Sequence, residues 1–185
     1  DNVKRDMRTS HIPVVMLTAK TDIASKLEGL ERGADDYLAK PFHEGELAVR
    51  LKKLVELRRK LQERYASMEK DPLFEDKSVH LEDAFIKHIR EVMETNMDND
   101  QFGILQLCKS VGMSRAQLYR KFKSLTDKTV NEYLRTFRLY KARELLLTTG
   151  LNVSEVAYET GFKNLSHFSR VFTEEFGTNP SELKN

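Results

Sequence analysis

Arg115, Arg120, Lys121 and Lys123 fall within nine positions of one another, and Lys163 and Arg170 follow forty to fifty residues later. Arginine offers a planar fork of donors that fits a phosphate or the edge of a guanine, and lysine offers a mobile point charge. Gathered on one side of a helix, such residues could bind a polyanion. No rival chemistry is as well supplied. Cys108 stands alone in an apolar helical pattern, which fits a buried structural thiol better than a nucleophile. His11, His43, His80, His88 and His167 lack the close pairing with cysteines or acids that zinc sites use. No metal and no cofactor are therefore expected. With no nucleophile set beside a base and no glycine-rich phosphate loop, an enzyme is not expected either.

The charge distribution points the same way. The chain has 185 residues and a net charge of only +2. Residues 65–100 nevertheless carry ten acids against four bases, while residues 101–143 carry ten bases against two acids. A basic block of this kind is an electrostatic footprint for a polyanion, although solvated surface can look the same. The longest uncharged stretch near the start, residues 9–19, has eleven residues against the roughly 20 needed to span a bilayer. The opening residues are charged, so no signal peptide is read there, and a cytoplasmic protein without membrane contact is expected.

Positioning these side chains requires two architectures. Residues 13–17, "PVVML", read as a strand buried on both faces, and residues 22–32 as an amphipathic helix stopped by Gly33. "DYLAKPF" reads as a second strand, and a long helix begins at His43 and runs through Tyr65. This alternation implies a parallel sheet with crossover helices. In the long helix Leu47, Leu54 and Leu61 repeat at seven, with Leu51, Arg58 and Tyr65 between them. Either a short dimerising seam or an ordinary amphipathic helix accounts for them. Residues 66–81, acidic and containing Pro72, read as a linker.

From residue 82 onward the pattern is helical and internally repeated. Gly112 aligns with Gly161, Arg120 with Arg170, and Phe122 with Phe172, at separations of 49, 50 and 50. Each copy reads as helix, glycine turn, helix. Ser114 with Gln117, Thr129 with Glu132, and Asn179 with Glu182 form capping boxes, and Asn164 caps the second copy's closing helix. At about 100° per residue, Leu118 and Phe122 form a buried stripe that leaves Ala116, Tyr119, Arg120 and Lys123 outside. In the second copy Phe168 and Phe172 are buried, and Ser166, Ser169, Arg170 and Thr173 face outward.

These motifs carry two resemblances. "HIPVVMLTAKTD" and "GADDYLAKPFHEGEL" resemble the C-terminal part of a response-regulator receiver domain over residues 1–65. That resemblance implies switch roles for Thr18, Tyr37 and Lys40, a cis Lys40-Pro41 bond, and a phosphoacceptor aspartate outside this chain. Asp35 and Asp36 precede the last strand and cannot replace it, so phosphorylation of these residues is not expected. "RKFK", "ETGFKNLSHFSRVFTEEFGTNPSEL" and "YLRTFRLYKARELLLTT" resemble the AraC/XylS-type DNA-binding domain over residues 82–185. The fold implied is mainly α: two helix-turn-helix subdomains joined by a long helix, after a partial α/β, flavodoxin-like receiver fragment and a long linker helix. The whole resembles the end of a hybrid two-component regulator or a YesN-like response regulator.

The implied DNA contacts are Ser114, Arg115, Ala116, Gln117, Tyr119, Arg120 and Lys123, then Lys163, Asn164, Ser166, His167, Ser169, Arg170 and Thr173. Lys121, Lys123, Lys128 and Lys163 are assigned to phosphates, His167 to a phosphate or backbone neighbour, and Arg135, Arg138 and Arg143 to the exposed side of the connecting helix. Double-stranded DNA is the expected partner, with RNA polymerase and a second copy of the chain beside it. A protein-interaction module without DNA readout would use the same helical repeat, and a flat salt dependence would distinguish it.

Overall fold

The computed structural model describes residues 2–19, 33–70, 81–99 and 101–183. The helix expected over residues 22–32 and most of the expected linker lie outside them. After a one-turn helix α1 (Asn2–Arg5), strands β1 (Val15–Thr18) and β2 (Asp36–Ala39) pair in parallel, with Val15 opposite Asp36 and Thr18 opposite Ala39. The expected burial of β1 on both faces is corrected: Met16 and Leu17 are exposed. The faces of a parallel strand are covered by packed helices, and no described helix covers Met16 and Leu17. Tyr37 and Leu38 of β2 are buried, and the Lys40-Pro41 bond is cis.

Helix α2 (Glu44–Lys70) continues five residues into the stretch read as a linker. It does not stay with the sheet. Its second half crosses to the helical part, where the Tyr65 hydroxyl donates to Asp83 Oδ1 at 2.7 Å and Arg64 pairs with the same carboxylate at 3.0 Å. Leu61 packs on the first core and Tyr65 is fully buried in it. Two members of the leucine seam's neighbourhood, Leu51 and Val55, stay exposed.

The remaining elements are α3 (Leu81–Thr95), α4 (Ile104–Ser110), α5 (Arg115–Thr126), α6 (Val130–Thr148), α7 (Val153–Glu159) and α8 (Leu165–Phe176), closed by a 3₁₀ turn over Pro180–Glu182. They build two cores. Phe85, Ile86, Ile89 and Met93 recur at helical spacing on α3 and meet Leu107, Leu118 and Phe122 in the first core. Phe162, Phe168, Val171 and Phe172 form the second with Val156 and Ala157. Helix α6 serves both, giving Val130, Tyr133, Leu134 and Phe137 to the first and Leu139, Ala142 and Leu146 to the second. A single rigid helix therefore sets the separation of the two halves.

Candidate nucleic-acid interface

Helices α5 and α8 begin in the same way. Each follows a glycine in the left-handed region, Gly112 at φ 63° and Gly161 at φ 76°, where a side chain is strained. Ser114 Oγ then accepts from Gln117 N at 3.3 Å while Gln117 Oε1 accepts from Ser114 N at 2.9 Å. In the second copy Asn164 Oδ1 accepts from His167 N at 2.8 Å. Such caps satisfy backbone donors that the first turn leaves unpaired and fix where each helix starts. The Thr129–Glu132 and Asn179–Glu182 boxes are present as well, and Asn152 with Glu155 makes a further one at the start of α7. The two Thr129 bonds hold the Glu132 carboxyl below its ordinary value.

With the starts fixed, the faces follow. Leu118, Phe122, Phe168 and Phe172 are fully buried. Ser114, Arg115, Ala116, Tyr119, Arg120 and Lys123 are exposed on the first helix, and Lys163, Asn164, Ser166, His167, Arg170 and Thr173 on the second, with Ser169 half-buried. The Gln117 side chain is half-buried and serves the cap. His167 lies against the Phe162 ring, 6.2 Å between centroids. Arg170 pairs with Glu174 at 2.7 Å and Lys123 with Asp127 at 3.1 Å, both on the surface. Exposed pairs of this kind stabilise by under about 1 kcal/mol, so a phosphate can displace the carboxylate easily.

Two assignments of basic residues are corrected. Lys121 is fully buried instead of facing phosphates: its ammonium donates to the Met7 carbonyl and to Ser10 Oγ at 2.9 Å, above the Phe85 ring. Burial pushes its pKa down to about 8, with Glu82 and Asp6 acting against the fall. Arg138 does not line a solvent face. Its guanidinium donates to Gly161 O and to Asn99 O, each at 3.2 Å, tying the second turn to the loop after α3. Arg143 is exposed but stacks over the Phe176 ring at 5.3 Å. Only long-range packing distinguishes Lys121 and Arg138 from the outward basic residues. Arg135 does remain exposed.

The receiver residues are also brought together. Thr18 ends β1 and Lys40 follows β2, and Lys40 N donates to Thr18 O at 2.7 Å, so both sit at the same end of the sheet. Residues missed by sequence reasoning lie on α2, against the flank of α5 that adjoins Arg120. Arg58 Nε and Gln62 Nε2 both donate to Ser124 O, at 3.3 and 3.0 Å, and sutures of 66 and 62 positions leave no local signal. Between α2, α5 and the segment His11–Pro13 lies an open hollow of about 500 Å³ bounded by Arg58, Tyr119, Arg120 and Lys123.

His11, at the rim of that hollow, has a buried Nδ1 without a hydrogen-bond partner among the described residues. Burial first, and then the charges of Lys121 and Arg58, push its pKa down to about 4, against a weaker pull from Glu82. The unfolded chain takes up this proton near pH 6.5. The stability His11 lends is thus complete above pH 6.5 and is lost as pH falls toward 4. We expect urea denaturation followed by circular dichroism to give a native state roughly 1–2 kcal/mol weaker at pH 5 than at pH 7.5 from this half-buried group. His11→Gln should shrink the difference; an unchanged difference would place the ring in water.

The helical part thus holds two capped helix-turn-helix units in tandem, and a short parallel strand pair precedes them. Family models agree, matching a helix-turn-helix domain over residues 107–185 and a response regulator receiver domain over residues 2–52. The chain is 34% identical over 125 residues to an HTH-type transcriptional regulator in the cgkA 5' region of Pseudoalteromonas carrageenovora, covering 68% of this chain and 72% of that one. It is 37% identical over 183 residues to Histidine kinase P4 of Formosa agariphila, covering 99% of this chain but only 13% of the kinase. Among solved structures it is similar to the C-terminal domain of the two-component response regulator yesN from Fusobacterium nucleatum, at 26% identity and TM-score 0.51, over 55% of this chain and 99% of that one. The chain belongs to the helix-turn-helix transcriptional regulators of AraC type and carries a receiver fragment ahead of the DNA-binding domain. These regulators are not enzymes.

Proposed function

We propose that the chain is the output end of a two-component phosphorelay protein and reads a promoter by inserting α5 and α8 into successive major-groove segments of one duplex. The observation that carries this is the matched pair of capped helices, each with an arginine at the equivalent exposed position, Arg120 and Arg170. Helix-turn-helix readers place such helices about one DNA turn, roughly 34 Å, apart. The arginines take guanine edges, the small Ala116, Ser166 and Ser169 permit close approach, and Lys123 and Lys163 take phosphates. Thr18, Tyr37 and Lys40 retain the receiver's switch roles, and the phosphorylated aspartate belongs to a part of the regulator outside this sequence. The likeness to the histidine kinase and to the two-component response regulator supports that placement. In this reading the regulator works in the cytoplasm, contacts RNA polymerase and pairs as a homodimer, for which the exposed Leu51 and Val55 of α2 supply apolar surface.

The test is fluorescence anisotropy on a duplex selected from a random library. Arg120→Ala and Arg170→Ala should each weaken binding by about 1–3 kcal/mol and relax preference at one base position. Unchanged affinity in both variants would remove the assignment. A steep fall of affinity with salt is expected from several phosphate contacts; a flat profile would favour a protein-interaction module.

A further inference from the structure

We propose that Arg58 of α2 is a third DNA-contacting element, a phosphate clamp built by the helix that leaves the receiver part and lying beside the first recognition helix. The inference rests on the DNA-binding reading above and adds a surface that neither helix-turn-helix unit contains.

Three observations carry it. First, α2 is fixed against α5, because Arg58 Nε and Gln62 Nε2 share the Ser124 carbonyl as acceptor, while Leu61 and Tyr65 anchor the following turn in the first core. At about 100° per residue, Ser124 lies on the flank of α5 that adjoins Arg120, next to the outward ridge and not opposite it. Second, Arg58 spends only Nε on this bond. Among the described residues neither Arg58 nor Arg120 has a carboxylate partner, and Arg120 is bonded only to Ala116 O of its own helix, at 3.3 Å. Third, Arg58, Arg120 and Lys123 open on one hollow of about 500 Å³ in which Asp127 is the sole acid, already paired with Lys123. The hollow is therefore electropositive and wide open to solvent.

A duplex that takes α5 into its major groove runs its sugar-phosphate strands along both flanks of that helix. One strand then passes the Ser124 side, where two guanidiniums lack acid partners. An arginine held by its own Nε presents its terminal nitrogens in a fixed orientation, which suits two-point binding of phosphate oxygens. Such a contact adds affinity and salt dependence without sequence preference. It also makes DNA affinity depend on how α2 is seated, linking the receiver side of the chain to the reading helix.

The experiment uses the full chain, with anisotropy titrations on the selected duplex and on a scrambled duplex across a range of salt. Arg58→Gln should weaken binding about three- to tenfold on both duplexes and reduce the slope of log affinity against log salt by about 0.9, the value for one lost phosphate contact. Arg58→Lys keeps the charge but not the guanidinium bond to Ser124 and should recover the slope. Arg59→Gln, one position on but paired with Glu63 at 3.1 Å and 80% exposed, should leave both unchanged. An unaltered slope in Arg58→Gln overturns the proposal. So does an Arg58→Lys variant as weak as Arg58→Gln, since that would make the residue a brace for α5 and nothing more. A parent chain that binds no duplex would remove the DNA-binding reading itself, a result distinct from either.

Discussion

Replacing Gly161 by alanine is expected to destabilise the second helix-turn-helix by at least 3 kcal/mol and to abolish high-affinity DNA binding. Two independent effects add. The residue sits at φ 76°, where a Cβ collides with its own backbone at a cost of about 1–2 kcal/mol. That Cβ would also stand 2.5 Å from Met97 O and 2.7 Å from the Arg138 guanidinium. Neither neighbour can retreat freely: Met97 is fixed in the loop after α3, and Arg138 is bonded to both Gly161 O and Asn99 O. The turn would have to open, and with it the angle at which α8 leaves. Gly112 is the natural control. It has φ 63° but nothing within 4 Å of a built Cβ, so Gly112→Ala should lose only the conformational part, about 1–2 kcal/mol. Urea midpoints for the two variants settle the comparison. Equal losses would mean that the close approach at Met97 and Arg138 is not a feature of the folded chain.

Phe172→Ala should cost about 3–5 kcal/mol, the range for removing a fully buried phenylalanine. Its ring lies 5.4 Å from Phe168 and 4.6 Å from Phe176, in a row that continues to Tyr140. The cavity would open in the middle of an aromatic stack whose members also position Arg170. Because the two cores are separate clusters that share only α6, the loss should be confined. Amide hydrogen exchange should show α7 and α8 losing protection while α4 and α5 keep theirs. Phe122→Ala should do the reverse, since Phe122 packs edge-on against Tyr133 at 5.0 Å in the first core. Uniform loss of protection in either variant would indicate one cooperative unit and contradict the partition along α6.

The contrast between Lys121 and Arg120 marks the limit of what spacing conveys. Both are basic, adjacent, and on one short amphipathic helix; residue type alone assigns both to DNA. Periodicity placed Arg120 outside correctly because Leu118 and Phe122 define the inner stripe. Lys121 lies at the edge of that stripe, where the environment depends on what packs against the flank. Here the flank is covered by residues more than a hundred positions earlier, Met7 and Ser10. The same reason explains Arg138, whose carbonyl partners lie 23 and 39 positions away.

Local chemistry determined much by itself: the two glycine turns, the capping boxes and the outward arginines are all set by interactions within a few residues or by repeat. Tertiary structure alone decided which cations are buried, that α2 leaves the sheet to lie against α5, and that α6 divides its apolar face between two cores. A helix start is fixed by hydrogen bonds three residues apart, whereas the burial of a long charged side chain depends on desolvation by whatever distant segment happens to cover it.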